Sequence, residues 1–199
     1  MNRPTPGGTW ISLGSSPDAV AHLEYARRKW RNARIITGNR GFQIANNPDV
    51  YMVFDKTACD YWRDDAYRLR REFGTWLITL FAGQETVRIN RGVHDFNEFL
   101  TIRPNDWGMT GLWITYYAAK MMRADRIVLC GHQGYPAAGV GYFDGSPTPN
   151  QHHVKTIAVL GPRYHCLAVD SPDCEFVALG PLQWELDEGM PNMKQELPA

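Results

Sequence analysis

Cysteine is scarce in this sequence, and the few cysteines are scattered. The 199 residues contain Cys59, Cys130, Cys166 and Cys174, and none of them forms a C-x-x-C pair. Disulfide-rich domains and zinc ribbons need cysteines at closer, paired spacings. We therefore expect reduced thiols with structural roles, as is usual in a cytoplasmic protein.

Long apolar runs and an excess of one charge are also missing. No segment approaches the roughly 20 apolar residues of a bilayer-spanning helix, and the polar residues 1–8 do not resemble a signal peptide. The 21 basic and 21 acidic side chains cancel, so the net field does not steer the protein toward nucleic acid. We expect a cytoplasmic protein with no membrane partner, and the net charge gives no support to a nucleic-acid acceptor.

Three motifs that define large nucleotide-binding and hydrolase classes are absent. The sequence has no G-x-x-x-x-G-K-[ST] loop, no G-x-G-x-x-G after the first predicted strand and no G-x-S-x-G elbow. These absences argue against P-loop kinases, dinucleotide dehydrogenases and α/β-hydrolases.

What the sequence does contain is a regular alternation of short β-rich runs and helical patterns. The pattern predicts strands at 9–13, 34–37, 50–54, 76–81, 86–89, 126–130 and 175–179, and helices at 17–32, 58–73, 109–123 and 151–160. Ser16 is the predicted N-cap of the first helix, residues 99–107 look irregular, and Gly161-Pro162 should break or kink the last helix.

This alternation predicts an α/β fold, a single Rossmann-like, doubly wound and mainly parallel sheet flanked by helices. The hydrophobic content of 44% is sufficient for one core. We expect one domain over residues 9–184, between a flexible leader (1–8) and a loosely ordered tail (185–199).

Polar residues follow the first and second predicted strands, where ligands of open parallel sheets gather. Gly14, Ser15 and Ser16 can offer N–H groups and hydroxyls to an anion at a helix N-terminus, although an ordinary capped turn has the same sequence. Asn39 can bind a base or ribose edge and Arg40 can pair with phosphate, although a surface turn explains both residues equally well.

Two later strand and helix ends carry similar candidates. Asp55 follows the third strand and can bind a ribose hydroxyl or a metal, or simply cap the next helix. Thr110 and Gly111 open a buried helix and supply a hydroxyl and a backbone that a ligand can approach closely. Simple helix entry is the alternative explanation for this pair.

The segment 132–153 is rich in titratable groups, including three histidines. Histidine is suited to general-base chemistry near neutral pH, so His152 or His153 could deprotonate an acceptor hydroxyl. Tyr135 or Tyr142 could donate a hydrogen bond to a departing phosphate. The adjacent histidines equally well cap and solvate a helix start, and they lack the i, i+4 spacing of a helical metal site.

Four motifs carry a resemblance to a known family: 13–17 (LGSSP), 37–40 (TGNR), 110–112 (TGL) and 124–131 (ADRIVLCG), the last followed by Tyr135. In this order they resemble the sialyltransferase-like α/β proteins. That set includes bacterial sialyltransferases that use CMP-sialic acid, the domain of unknown function typified by archaeal hydroxymethyl-dihydropterin pyrophosphokinases, and small bacteriophage proteins. The resemblance covers about residues 9 to 160.

The resemblance implies a nucleotide held by the Gly14 turn, the Asn39 loop and the Thr110-Gly111 turn, together with Gly131 and Gln133. It also implies a base at His152 or His153, and Tyr135 and Tyr142 facing the phosphate. Family members place an aspartate where this chain has Gln133. A phage-encoded member would work in the host cytoplasm.

The leading hypothesis is a nucleotide-dependent transferase, a glycosyltransferase that uses a nucleotide-sugar donor, a histidine base and no cofactor. The second is a pyrophosphoryl or nucleotidyl transferase, in which Asp55 or Asp144 would help to hold Mg²⁺. The third is a non-catalytic module that binds a nucleotide or assembles with phage components. Exposed Trp62 or Trp184 would mark a surface for a homo-oligomer.

Overall fold

The computed structural model describes residues 2–53, 61–80, 97–100, 110–134, 141–146, 152–182, 184–186 and 189–198, with the backbone alone at 80, 99–100 and 152–159. Asp55, Tyr135, the predicted strand 86–89 and the side chains of His152 and His153 lie outside this description.

Eight strands form one sheet within the described residues. They are β1 (Thr9–Leu13), β2 (Arg34–Gly38), β3 (Val50–Val53), β4 (Trp76–Leu80), β5 (Glu98–Leu100), β6 (Arg126–Cys130), β7 (Glu175–Leu179) and β8 (Met193–Glu196). The spatial order is β5-β4-β3-β2-β1-β6-β7-β8, and every neighbouring pair is parallel. The strand order therefore reverses between β1 and β6.

Helices cover both faces of this sheet. They are α1 (Ala19–Lys29), α2 (Phe42–Ala45), α3 (Arg63–Phe73), α4 (Thr110–Tyr116) and α5 (His152–Val169), and a π-helical turn, Tyr117–Met121, extends α4. Alternate strand residues point to opposite faces. Trp10 and Leu129 pack with α4 and α5, whereas Ile11 and Val128 pack with α1. The predicted doubly wound α/β fold is confirmed.

Two predicted helix boundaries are wrong. The first helix begins at Ala19 with Asp18 at its N-cap position, because the Ser16 hydroxyl donates instead to Gln133. Gly161-Pro162 does not end the last helix, which continues to Val169. The buried side chains of Leu160 and Tyr164 hold both sides of the proline in the core.

The structure adds two edge strands that the sequence did not predict. β5 lies at the start of the stretch expected to be irregular, and Asn97 starts its pairing, since its N–H donates to the Leu77 carbonyl oxygen at 2.9 Å. β8 lies within the residues expected to form a loosely ordered tail. Both additions are held by backbone pairing, which has little sequence signature.

Two glycines of the leader and two of the tryptophans have contacts that bear on the sequence expectations. The Gly7 N–H donates to the Met122 carbonyl oxygen at 2.7 Å, and the Gly8 N–H donates to Asp125 Oδ2 at 2.7 Å. The leader is therefore tied to the end of the π-helical turn. Trp184 is 6% exposed and Trp62 packs edge-on against Phe42 at 5.2 Å, so Trp184 marks no surface for self-association.

No helix among the described residues is both long and apolar enough to cross a membrane.

Candidate functional site

A small cleft of about 70 Å³ lies at the carboxyl ends of β1 and β6. Ligands of open α/β sheets bind where the strand order reverses, and the cleft lies at this position. Its lining comes from both strand-end loops and from two helices: Gly14, Ser15, Ser16, Gly111, Leu112, Gly131, His132, Gly134, Leu160 and Tyr164.

A larger open groove of about 810 Å³ lies on the opposite side, near the amino ends of strands β2 and β3. Its lining includes Arg34 and Asp49, and burial raises the pKa of the Asp49 carboxyl. The groove is distant from the strand-end loops that the parallel topology brings together. We therefore place the candidate site in the smaller cleft.

The loops after β1 and β6 touch through their glycines. A side chain at Gly14 would overlap the carbonyl oxygen of Gly131, and one at Gly131 would come within 2.7 Å of the Ala19 side chain. Gly131 also has a φ of +70°, a conformation that favours glycine. These close approaches explain why both positions require glycine.

The backbone donors predicted to bind an anion here are used within the protein. The Gly14 N–H donates to the Cys130 carbonyl oxygen at 2.8 Å and the Ser16 N–H to the Gly131 carbonyl oxygen at 3.3 Å. The Gly131 N–H donates to His22 Nδ1 at 3.2 Å. These three amides join the two loops and are therefore not available to an anion in the cleft.

Gln133 is buried and is not among the residues that line the cleft, so its predicted contact with a nucleotide stays a prediction. Its side-chain Nε2 donates to Asp18 Oδ2 at 2.5 Å, while its oxygen accepts the Ser16 hydroxyl. The amide can bridge a hydroxyl and a carboxylate because it both donates and accepts. Gln133 therefore ties the β6 loop to the start of α1.

His132 lines the cleft, although the sequence pattern did not distinguish it from the other two histidines of the segment 132–153. It is 7% exposed. Its Nε2 lies 3.0 Å from the Ser12 carbonyl oxygen and its Nδ1 lies 2.5 Å from the Tyr164 hydroxyl. Since a carbonyl only accepts, Nε2 carries the proton and Nδ1 accepts from Tyr164.

Further contacts fix His132 between the sheet and the helices. Burial lowers the pKa of His132 to about 4, so the ring is neutral at pH 7. Trp184 Nε1 donates to the His132 carbonyl oxygen at 2.9 Å, and its ring stacks on Tyr164 at 5.1 Å between centroids. A side chain at Gly111 would lie 3.0 Å from the imidazole. The sequence did contain a signal for this residue, because His132 comes directly after Gly131, the glycine that follows β6.

The two predicted residues after β2 and at the start of α4 are in contact. Asn39 Nδ2 donates to Thr110 Oγ1 at 3.1 Å, and the Tyr51 hydroxyl donates to the Asn39 carbonyl oxygen at 2.9 Å. Asn39 has a φ of +47°, and its buried Oδ1 has no hydrogen-bond partner among the residues that the structure describes. Because Thr110 precedes Gly111, this pair lies beside the cleft.

Residues 141–146, which we call the 141–146 segment, lie across the carboxyl ends of β1 and β2. The guanidinium of Arg40 sits 3.9 Å from the centroid of the Tyr142 ring. The Phe143 N–H donates to the Ser15 carbonyl oxygen at 3.3 Å. Burial raises the pKa of the Tyr142 hydroxyl. The structure thus brings Ser15, Arg40 and Tyr142 together at one edge.

The predicted histidine base stays a prediction. α5 begins at His152, and Leu160, eight residues later, lines the cleft. Eight helical residues span about 12 Å, so the start of α5 lies about that distance along the helix from Leu160. In the part of the chain that the structure describes, no three His, Cys, Asp or Glu side chains are grouped closely enough to hold a metal ion.

The reversed strand order and the helices on both faces define a doubly wound α/β domain. No protein-family model matches the chain, and no curated protein matches it. Among solved structures, the chain is similar to the MAf glycosyltransferase from Magnetospirillum magneticum AMB-1, with a TM-score of 0.57 and 18% sequence identity over 98% of this chain and 34% of that chain. The chain therefore shares the fold of part of that protein and spans about a third of its length.

Proposed function

We propose that the protein is a glycosyltransferase-type transferase whose cleft binds the nucleotide of a nucleotide-sugar donor. One observation carries the proposal: Gly14, Ser15, Ser16, Gly111 and Gly131, all nucleotide-binding candidates from the sequence, line a single cleft where the strand order reverses. The glycosyltransferase-like fold supports the same reaction class.

The surroundings suggest how the donor would be arranged. The glycines that line the cleft let the edge of a base or ribose approach the backbone closely. The Oδ1 of Asn39, which has no partner within the described ranges, can accept a hydrogen bond from a ribose hydroxyl or a base amine. Arg40 lies beyond Ser15 and supplies positive charge for the phosphate.

The proposed reaction is a direct displacement at the anomeric carbon. The acceptor hydroxyl attacks this carbon, the bond to the phosphate oxygen breaks, and the nucleotide leaves with the bonding electron pair. The hydroxyl proton passes to His152 or His153 at the start of α5. His132 does not serve as the base, because its Nε2 proton and Nδ1 lone pair are both engaged.

Titration calorimetry with nucleoside monophosphates, nucleoside diphosphates and nucleotide-sugars, with and without Mg²⁺, tests the proposal. We expect saturable binding that favours one base and does not require the metal. In Gly111→Ala, the added methyl group enters the cleft 3.0 Å from His132, so affinity should fall roughly tenfold or more, as for a blocked pocket.

Gly74→Ala is the matched control for this substitution. Gly74 follows α3, has a φ of +74° and has open space around it, so the variant should lose some stability but keep its ligand affinity. The proposal is wrong if no nucleotide or nucleotide-sugar binds at millimolar concentration. Binding that strictly requires Mg²⁺ would favour pyrophosphoryl transfer, and binding without turnover of any nucleotide-sugar would favour a non-catalytic module.

A further inference from the structure

The 141–146 segment is held at the carboxyl edge of the sheet by an acidic side chain. Asp144 Oδ2 accepts a hydrogen bond from Arg40 Nη1 at 2.7 Å. Its other oxygen, Oδ1, accepts from the Ser146 N–H at 2.9 Å and from the Ser146 hydroxyl at 2.6 Å. The carboxylate is therefore oriented by its own turn and presented to Arg40.

The guanidinium of Arg40 is only partly used by these contacts. Within the described part of the chain, its hydrogen bonds to Asp144 and Ser146 both leave from Nη1, although a guanidinium carries five N–H donors. The Arg40 side chain is 26% exposed, and the Tyr142 ring covers one of its flat faces. The remaining N–H groups can reach a second anion in the plane of the guanidinium.

This contact lies next to the cleft. The Phe143 N–H bonds to the carbonyl oxygen of Ser15, a residue of the cleft lining. Asn39, which immediately precedes Arg40, bonds to Thr110 on the other side. A phosphate attached to a nucleoside in the cleft therefore reaches Arg40 by extending past Ser15 and beneath the 141–146 segment.

We infer that Arg40 is the phosphate-binding residue of the site and that the Asp144 carboxylate occupies its guanidinium before a ligand arrives. Carboxylate and phosphate are the two anions that guanidinium groups recognise best. A diphosphate must then compete with Asp144, and its binding releases the 141–146 segment from Arg40. The inference rests on the proposed function for the identity of the phosphate ligand.

The weakness of the ion pair between Asp144 and Arg40 favours its replacement by a contact between Arg40 and a diphosphate. Asp144 and Arg40 are both partly exposed, with 34% and 26% of their side-chain surfaces accessible, and ion pairs of this exposure are weak. The pKa of Asp144 is lowered, first by the hydrogen bond from the Ser146 hydroxyl and also by Arg40. Asp144 is thus a charged but weak competitor, which a more highly charged diphosphate can displace.

Pyrophosphate binding tests the inference without the nucleoside. Titration calorimetry at low ionic strength would compare the wild-type protein with Asp144→Asn, Arg40→Gln and the double variant. Asn keeps the shape of the side chain and can still accept from Ser146, but it removes the competing charge. We expect Asp144→Asn to bind pyrophosphate roughly three- to fivefold more tightly, and Arg40→Gln to bind it weakly in both backgrounds.

Asp65→Asn is the charge-matched control. Asp65 pairs with Arg68 on α3 at 3.6 Å with 37% of its side chain exposed, so its substitution makes the same change in net charge without touching the site. We expect its pyrophosphate affinity to equal that of the wild type. Equal gains in Asp65→Asn and Asp144→Asn would show a general charge effect and overturn the inference.

The remaining outcomes separate this inference from the proposed function. An unchanged affinity in Asp144→Asn, a gain that persists without Arg40, or no pyrophosphate binding by any variant overturns the inference, even if nucleotides bind in the cleft. A gain in pyrophosphate affinity that depends on Arg40 would support the anion site. If no nucleotide bound in the calorimetric titrations proposed above, the nucleotide cleft would be overturned all the same.

Discussion

Two buried histidines hold the loop after β6, each through atoms of the neutral ring. His22 Nδ1 accepts the Gly131 N–H, and His132 joins Ser12 on β1 to Tyr164 on α5. Burial lowers the pKa of both rings. Neutral imidazole suits such positions because it donates from one nitrogen and accepts at the other.

Replacing His132 should therefore destabilise the fold as well as the cleft. His132→Ala removes the hydrogen bonds that His132 makes with the Ser12 carbonyl and the Tyr164 hydroxyl and opens a cavity, so the free energy of unfolding should fall by about 2–4 kcal/mol. Urea unfolding followed by tryptophan fluorescence measures the change. His132→Gln, which can still donate and accept, should recover part of the loss.

His165→Ala supplies the control, since His165 lies on α5 one residue after Tyr164 and is only half-buried. Its substitution should change the free energy of unfolding by less than about 0.5–1 kcal/mol. If the two alanine variants lost equal stability, the network around His132 would have no special role.

At the scale of elements, Asn192 connects β8 to the rest of the fold. Its Nδ2 lies 3.0 Å from each of three carbonyl oxygens, those of Ala168, Ser171 and Cys174. These carbonyls belong to the end of α5 and the turn before β7. One amide group therefore fixes the turn against which the last strand begins.

Asn192→Ala should loosen this edge of the sheet. It removes the side-chain donor that the three carbonyl oxygens share, although those of Ala168 and Ser171 keep a backbone N–H donor. The free energy of unfolding should therefore fall by about 0.5–1.5 kcal/mol. The β8 amides should exchange hydrogen faster in the variant than in the wild type. The β6 amides, in the centre of the sheet, should be less affected. Equal protection of β8 in the variant and the wild type would contradict this role.

The central strands could be predicted from the sequence, whereas the edge strands could not. β1, β6 and β7 have the predicted bounds because each is a short apolar run buried on both faces. β8 reads Met-Lys-Gln-Glu and has two exposed residues, so its pattern resembles a polar tail. Its place in the sheet depends on backbone pairing with β7.

The candidate site could be predicted in position but not in detail. The glycines and small polar residues of the strand-end loops do line one cleft. The partners of Ser16 and Gln133 could not be foreseen, because they bond to each other across 117 positions of the sequence. Such pairings depend on how two loops meet, and a local pattern does not contain that information.

For the whole molecule, the burial of His22 and His132 predicts how the free energy of unfolding changes with pH. The folded-state pKa of His132 is about 4, below its ordinary value of 6.5, and that of His22 is lowered too. Between pH 4 and 6.5 the unfolded chain binds more protons than the folded chain, so acidification favours unfolding. The contribution is fully present above pH 6.5 and is lost as the pH falls toward 4.

Urea unfolding at pH 7 and at pH 5 measures this dependence. The wild type should lose stability on acidification with a slope of up to about 1.4 kcal/mol per pH unit from each buried histidine. His132→Gln should show a shallower slope, because one of the two groups is removed. Parallel pH dependence in the two proteins would show that His132 does not couple protonation to unfolding.

The central position of β1 also affects how the chain folds during translation. β1 ends at Leu13 and pairs on one side with β2, but its other partner, β6, begins only at Arg126. Nascent chains fold from the N-terminus as they emerge from the ribosome. Until β6 has emerged, one edge of this apolar central strand lacks its partner, and an unpaired strand edge of this kind favours aggregation.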